Sequence, residues 1–474
     1  MKKNKLNILF LILIDVLAYY TTLTFAFLTR KALSFLSVDI LKFSFDYIHF
    51  LKLWWIPLVF LLFIGYEKLY TRRFPFWDEV KQILKAVTLA TLVIFAIVSL
   101  GKITNQISRL TIIFIWLYGI FIFPIFRLYG KKLLFKAGLW QKPLIIIGAG
   151  ETGIKTAEGL LQDTHTGYEI IGFLDDFKTQ DIRVKDKTFP ILGKINDFDK
   201  LNLDIDTVVV AIPSMEKDKL THLINHFHTK VSRVFIIPDL QGVSLLNSEL
   251  YHLFMQQLFM IRINNNLKSK LNQELKRAFD LVVSVAMLPV LLPVMAIIAI
   301  IIKLDSKGNI FFIQERLGKN GRIFYCYKFR TMYENNEEIL NKYLKENPKA
   351  KQEWDKYKKL RGYDPRITRI GRFLRKTSLD ELPQIFNVLK GDMSLVGPRP
   401  YLPREIDDMG EYKDIILMSL PGITGLWQVS GRNELEFRDR LKLDTWYVLN
   451  WSLWLDIVIL FKTIKVVLKR EGAY

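Results

Sequence analysis

Two adjacent acids, Asp380 and Glu381, stand in the run Ser378-Leu-Asp-Glu-Leu-Pro-Gln384, and Pro383 constrains what they can do. A proline is tolerated in a helix only where its missing N–H would be unpaired, so the helix that carries Pro383 starts no earlier than Asp380, placed as its N-cap. Carboxylates at that positive helix end stay ionised, and a phosphate is favoured beside them. The residues alone leave two readings of Asp380, a helix cap or a carboxylate that does chemistry on a phosphorylated compound. Cations suited to the second reading lie in the surrounding motifs. Arg399 sits between Pro398 and Pro400, which restrict the backbone and aim its guanidinium, and Lys328, Arg330, Arg372 and Arg375 are further candidates for a diphosphate. Each cation taken singly fits a solvated surface charge; their clustering is the signal. Adjacent acids also suit structural calcium, but the spacing of an EF-hand loop is absent. Cys326, the only cysteine, excludes an intramolecular disulfide and reads as a small buried residue in a chain from a reducing compartment.

These residues must be positioned by a chain of 474 residues, enough for two or three units. Half of it is hydrophobic, and 67 basic residues against 47 acidic give a net charge of +20. That sign suits nucleic acid, an anionic membrane or a phosphate-bearing substrate. Four apolar runs, roughly 8–28, 50–66, 84–100 and 110–126, are of spanning length, and the first lacks the small-residue cleavage site of a signal peptide. Thirteen lysines and arginines flank one set of run ends, including Arg72, Arg73, Arg127 and Lys131, and six the other, among them Lys42 and Lys102. The asymmetry puts the N-terminus and everything after about residue 127 in the cytoplasm.

From Pro143 the pattern changes to short apolar runs between turn residues. Leu144–Ile147 reads as a buried strand, followed by Gly148-Ala-Gly150-Glu-Thr-Gly153 and a helix, with Asp175 22 residues after the last glycine. This is the order of a doubly wound, Rossmann-like sheet with a dinucleotide-type turn. Gly148, Gly150, Gly153 and Asp175 are therefore candidate nucleotide-binding residues, although a glycine turn also serves simple strand–helix packing. A membrane-bound, NAD-dependent nucleotide-sugar dehydratase or epimerase would share this layout, but no tyrosine is followed four places later by lysine as its redox pair requires. His222, His226 and His228 lack a carboxylate or cysteine to complete a metal set and read as a solvated helix face. No aromatic–basic platform outside the membrane segments points to nucleic acid.

A fifth apolar segment, Phe279–Ile302, contains Pro289 and Pro293 and is flanked by Lys276, Arg277 and Lys303. A fifth crossing would export residues 303–474, whose phosphate-binding motifs call for cytosolic nucleotides. A re-entrant helix kinked near Pro293 removes the conflict; an ordinary span is the alternative.

Residues from about 275 onward resemble the bacterial sugar transferases, monotopic enzymes that move a sugar-1-phosphate onto a polyprenyl phosphate. The resemblance rests on Lys303-Leu-Asp-Ser306, Gln314-Glu-Arg316, Tyr327-Lys-Phe-Arg-Thr-Met332, Asp364-Pro-Arg-Ile-Thr368, Leu374-Arg375 and the Asp380 motif. It continues through Gly391-Asp-Met-Ser-Leu-Val-Gly-Pro-Arg-Pro400, Pro421-Gly-Ile-Thr-Gly-Leu-Trp-Gln428 and Ser430-Gly-Arg432. Leu292 departs from the serine the family often has before Pro293. The four-run start, with Gly65-Tyr66 and Leu69-Tyr-Thr-Arg-Arg-Phe-Pro75, and the dinucleotide-like middle are similar to the undecaprenyl-phosphate galactose or glucose phosphotransferase subgroup.

The resemblance implies that Asp380 and Glu381 are catalytic. Asp380 would attack the β-phosphate of a UDP-sugar, release UMP and pass the sugar-phosphate to undecaprenyl phosphate, beginning a lipid-linked surface glycan such as O-antigen, capsule or exopolysaccharide. A Mg2+ ion is expected with Glu381 as its best candidate ligand, and a homodimer is implied by the family. A nucleotide-sensing scaffold with a decayed tail is disfavoured by the intact Asp380-Glu381 and Pro398-Arg-Pro400. Glu334–Arg361 reads as a charged surface insertion. Trp446–Leu468 reads as an amphipathic helix in the membrane interface or a core helix of the catalytic domain. The expected architecture is a four-span α-helical membrane bundle (1–135), a Rossmann-like α/β domain (136–262) and an α-rich α+β catalytic domain (263–474) with a re-entrant helix at 279–302. Its expected place is the bacterial inner membrane, catalytic domain toward the cytoplasm.

Overall fold

A computed structural model describes residues 2–35, 45–101, 107–201, 203–240, 243, 245–253, 258–357, 360, 363–431 and 435–469. Arg432, Lys42, Lys102 and part of the 334–361 insertion lie outside the described residues. The chain divides into two compact units, Met1–Leu240 and Gln241–Tyr474. The second boundary thus falls before residue 262, because the residues just after 240 are tied into the second unit: Asn247 donates to the carbonyls of Asn450 and Trp451.

The first unit begins with helices α1 (Lys2–Ser34), α2 (Tyr47–Leu51), α3 (Trp55–Tyr66), α4 (Phe76–Leu100) and α5 (Arg109–Lys136). Helices α1, α4 and α5 are long and apolar enough to cross a membrane. The second expected run is instead broken between α2 and α3, and the 12 residues of α3 rise only about 18 Å, short of a ~30 Å hydrocarbon core. A row of small and branched residues on α4, Ala86, Ala90 and Ile94, is buried against the neighbouring helices, while Leu92, Phe95 and Ile97 face outward. An apolar exterior around an apolar interior is the mark of a lipid-facing bundle. The polar exception lies inside. Arg127 of α5 grips Asp15 of α1 through Nε and Nη2 at 2.8 and 2.6 Å and reaches Glu79 of α4 at 3.2 Å. Lys131 and His165 also bond to Glu79. Arg127 and Lys131 were counted above as flanking charges, but both are buried in pairs.

The α/β part follows as β1 (Lys142–Ile147), α6 (Glu151–Gln162), β2 (Tyr168–Leu174), the hairpin β3 (Ile182–Val184) and β4 (Lys187–Phe189), β5 (Ile191–Gly193), β6 (Thr207–Val210), α7 (Lys217–Lys230) and β7 (Arg233–Ile236). Five strands pair in parallel in the order β5-β2-β1-β6-β7, a doubly wound sheet whose direction reverses at β1. Leu144–Ile147 are fully buried because a central parallel strand is covered on both faces.

The second unit starts with the hairpin β8 (Ser248–Leu253) and β9 (Leu258–Ile263), then α8 (Lys270–Asp305) and the hairpin β10 (Phe311–Leu317) and β11 (Ile323–Phe329). Helices α9 (Asn336–Glu346) and α10 (Pro348–Tyr357) form the charged insertion, followed by α11 (Arg369–Thr377), α12 (Gln384–Lys390), β12 (Ser394–Val396) and α13 (Lys413–Ile416). Strand β13 (Gly422–Thr424), paired in parallel with β12, and helices α14 (Leu426–Val429), α15 (Phe437–Leu449) and α16 (Leu453–Lys469) complete it. The expected single helix over 446–468 is two, broken around Asn450–Ser452. Trp451 and Asp456 face the core, where the indole donates to the carboxylate at 3.0 Å. One face of this segment is thus part of the core, while Phe461, Ile464 and Val467 of α16 are exposed and apolar.

Helix α8 runs 36 residues with Pro289 and Pro293 inside it. The helix is buried at two places, at Lys276, Asp280 and Ser284 and again at Met295, Ile298 and Ile302, with no buried residue on the stretch between that holds both prolines. Lys276 donates to Asp456 at 2.6 Å and to the Val396 carbonyl at 2.9 Å, and Arg277 caps the Val388 and Leu389 carbonyls at the end of α12. The opposite face, with Val282, Val285, Val290, Leu292, Ile297 and Ile300, is exposed and apolar.

Candidate active site

Strand β11 and helices α11 and α12 carry the site. Thr368 caps α11, its hydroxyl accepting from the Gly371 N–H at 2.9 Å. Ser378 ends α11 at φ 57°, an uncommon conformation for a residue with a Cβ, and reverses the chain. One 3-10 turn, Leu379–Glu381, follows before α12 starts at Gln384. Asp380 is therefore not the N-cap expected above; that place belongs to Pro383, where a missing N–H costs nothing. The tight turn lifts both acids off the helix and presents them to a cavity of about 860 Å³.

Asp380, Glu381, Lys328, Arg375 and Arg399 all line this cavity. Lys328 Nζ pairs with Glu381 Oε1 at 2.6 Å. Arg375 is steadied by the Thr331 hydroxyl, which accepts from its Nε at 2.9 Å. Burial, and after it the neighbouring Glu381 charge, push the Asp380 carboxyl up to about 6, with Lys328 and Arg375 pulling it back. Asp380 thus remains mostly ionised at neutral pH yet poorly solvated, the condition of a usable carboxylate nucleophile. Burial opposes the charge on Lys328, but the carboxylates of Glu381 and Asp380 outweigh it and hold its pKa above the ordinary lysine value.

Part of the remaining wall is apolar. Val283, Met287 and Leu291 of α8 and Leu460, Ile464 and Val467 of α16 line the same cavity, so it joins the charged turn to the outward apolar faces of both helices. Pro293 lies on α8 just beyond Leu291, outside the lining.

Arg330 and Arg372 are not brought to the cavity. Arg330 is buried with its guanidinium on the carbonyls of Ser306 and Lys307, where it caps the end of α8. Arg372 is exposed and stacks over the Tyr363 ring at 5.3 Å. Three lining or supporting residues were not singled out from the sequence. Gln314 and Arg316 of β10 line the cavity. Asp444 of α15, fully buried, accepts from the Arg399 N–H at 3.1 Å and the Tyr401 hydroxyl at 2.8 Å, which fixes the Pro398-Arg-Pro400 segment. Burial pushes Asp444 up to about 7 against those bonds and the charges of Arg399 and Arg440. Gln314 and Arg316 sit in a quoted motif and alternate inward on a strand; Asp444 leaves no local signal.

Among the described residues no three His, Cys, Asp or Glu side chains cluster as a metal cage. A magnesium ion held mainly by phosphate and water needs only one or two carboxylates, and Glu381, the candidate ligand, lines the cavity. In the first unit, Gly148, at φ 98°, and Gly150 form the turn before α6; a Cβ on Gly148 or Gly153 would meet the backbone, so those two serve close packing, whereas a Cβ on Gly150 would meet nothing within 4 Å. Asp175 accepts from the Ala149, Phe177 and Lys178 N–H groups, and Lys178 Nζ donates to the Ala149 carbonyl at 2.7 Å. The carboxylate of this candidate nucleotide-binding residue is thus engaged by backbone N–H groups.

Residues 271–470 match the family model for bacterial sugar transferases, and residues 65–238 match a model described as a CoA-binding domain. An undecaprenyl-phosphate galactose phosphotransferase of Salmonella typhimurium is 41% identical over 414 residues, spanning 85% of this chain and 84% of that protein. A UDP-galactose-lipid carrier transferase of Erwinia amylovora is also 41% identical, over 85% and 84% of the two chains. An undecaprenyl-phosphate glucose phosphotransferase of Komagataeibacter xylinus is 45% identical over 211 residues, 42% of this chain and 37% of that one. A carboxylate turn ringed by cations and opening onto lipid-facing helices defines a membrane-bound transferase. The chain belongs to the bacterial sugar transferase family.

Proposed function

We propose that this enzyme transfers a hexose-1-phosphate from a UDP-hexose, galactose or glucose, to undecaprenyl phosphate on the cytoplasmic side of the inner membrane. The observation that carries the reading is one cavity with Asp380 between Lys328 and Arg375 on one wall and apolar helix faces on another. In the first step an Asp380 carboxylate oxygen attacks the β-phosphorus of the donor. The bond from that phosphorus to the bridging oxygen breaks, and UMP leaves with the electron pair. In the second step an oxygen of the lipid phosphate attacks the same phosphorus and frees the Asp380 carboxylate. Dividing one displacement into two replaces a difficult step by two easier ones, and since each still brings an anion to an anionic phosphorus, both call for cations. Lys328 and Arg375 neutralise charge on the transferred phosphoryl group, and Glu381 keeps Lys328 in place. Magnesium, held by Glu381 and Asp380 together with the diphosphate, would supply further charge neutralisation.

A re-entrant course for α8 belongs to this reading. The helix is held by the second unit on both sides of its prolines, at 276–284 and at 295–302, so a full crossing would draw the charged cavity into the bilayer with it. A lipid substrate confined to the membrane needs that cavity at the interface instead. The test is UMP release by full-length enzyme in nanodiscs with undecaprenyl phosphate, magnesium and a panel of UDP-sugars. Lipid-dependent release with one hexose donor is expected; no release with any donor would refute the reading.

A further inference from the structure

Arg316 presents an unusual electrostatic problem. Its Nη1 donates to the Pro400 carbonyl at 2.9 Å and its Nη2 to Gln314 Oε1 at 2.6 Å, both neutral oxygens. Its Nε is buried with no hydrogen-bond partner, and among the described residues no carboxylate lies within ion-pair distance. Burial, and then the nearby charge of Arg399, depress its pKa from the usual arginine value. Arg399 has a single carboxylate partner, Glu405, at 3.6 Å. Two guanidinium groups on one cavity, of which only Arg399 has a carboxylate partner, are costly unless an anion arrives.

Lys328 and Arg375 already serve the phosphoryl group at Asp380, which leaves Arg316 and Arg399 for a different phosphate. We propose that Arg316 and Arg399 form a second phosphate subsite, which holds the phosphate of the departing nucleotide in the first half-reaction and the lipid phosphate in the second. The inference rests on the double-displacement reading above. In such a reaction the second step is the first run backward with a new partner, so the leaving and entering phosphates must occupy one position relative to the attacked phosphorus. One pair of guanidiniums suffices for both, and the adjoining apolar walls of α8 and α16 then receive the lipid's chain.

The experiment uses full-length protein in phosphatidylcholine nanodiscs, with Arg316→Gln and Arg316→Lys beside wild type. Equilibrium binding of UMP needs no turnover. Arg316→Gln is expected to weaken it at least tenfold and Arg316→Lys, which keeps the charge, about threefold. The KM for undecaprenyl phosphate is expected to rise in the same order and by similar factors. UMP binding equal to wild type in Arg316→Gln would overturn the subsite. Weakened UMP binding with an unchanged KM for the lipid would overturn its shared use. If Arg316→Gln fails to fold, Arg316→Lys decides: a loss in only one of the two measurements contradicts the proposal. A wild type that binds UMP but releases none from any UDP-sugar would refute the transferase reading, and the UMP arm would still judge the anion site.

Discussion

In the first unit, Arg127 meets Asp15 and Glu79, Lys131 meets Glu79, and every one of these side chains is almost fully buried. In the second unit, Arg316 and Arg399 line a cavity with a single carboxylate, Glu405, paired to Arg399, and Asp380 shares its cations with Glu381. The residue types are the same, but the first cluster closes on itself across α1, α4 and α5 while the second is left open. A buried charge whose partners are all protein groups fixes helices relative to one another. A cation on a cavity wall whose partners are neutral oxygens has charge to offer a ligand, whereas Arg330, with the same kind of partners away from the cavity, only caps α8. The two glycine- or acid-bearing turns make the same contrast. Asp175 spends its carboxylate on the backbone of its own turn, whereas Asp380 is turned toward open space beside Lys328.

If the contrast is right, substitutions in the two clusters fail in different ways. The largest effect is expected from Asp380→Asn, which removes the nucleophile and should lower lipid-dependent UMP release by at least ~10³-fold with an unchanged melting temperature. Arg127→Ala strands Asp15 and should cost roughly 3–5 kcal/mol of stability, read as a much lower melting temperature in detergent. The molecules that remain folded should turn over at the wild-type rate, and a specific loss of turnover would erase the distinction between the clusters. Lys328→Ala should lower kcat by about 10²-fold, the scale of a lost charge-stabilising donor. Release of UMP in wild type should fall as pH drops through about 6, where Asp380 takes up its proton, and should be roughly tenfold lower at pH 5 than on the plateau.

The smallest effect concerns Asp444. Its folded-state pKa of about 7 lies above that of an unfolded aspartate, so the folded chain holds an extra proton between about pH 4 and 7. Stability from this group is present below that window and falls as pH rises through it. Asp444→Asn should therefore melt higher than wild type at pH 8, by about 2–4 °C per ~1 kcal/mol relieved, and the gain should vanish near pH 4.

What was legible in the sequence follows the range of the interactions. The strand–glycine–helix order at 144–153 is local and the sheet formed as expected. The Asp380 motif and its cations Lys328, Arg375 and Arg399 stand in recognisable runs, and the structure gathers them on one cavity. Arg330 and Arg372 stand in the same runs but point elsewhere. Arg330 lies past the end of β11, and the nine-residue α11 is too short for sequence periodicity to fix which arginine faces inward. The Arg127–Asp15 pair joins residues 112 apart, beyond any spacing rule. Asp444 acts on a segment 45 residues upstream through a backbone N–H, which no motif records.

The central claim is that Asp380 carries the sugar-phosphate between the two substrates. Mixing enzyme with the preferred UDP-hexose and magnesium in the absence of lipid, then quenching and counting UMP, tests it directly. The account predicts a burst of about one UMP per active site that is absent in Asp380→Asn, with a hexose-phosphate adduct on the Asp380 peptide that undecaprenyl phosphate discharges. No burst and no adduct before lipid is added, from enzyme that turns over once lipid is present, would contradict it.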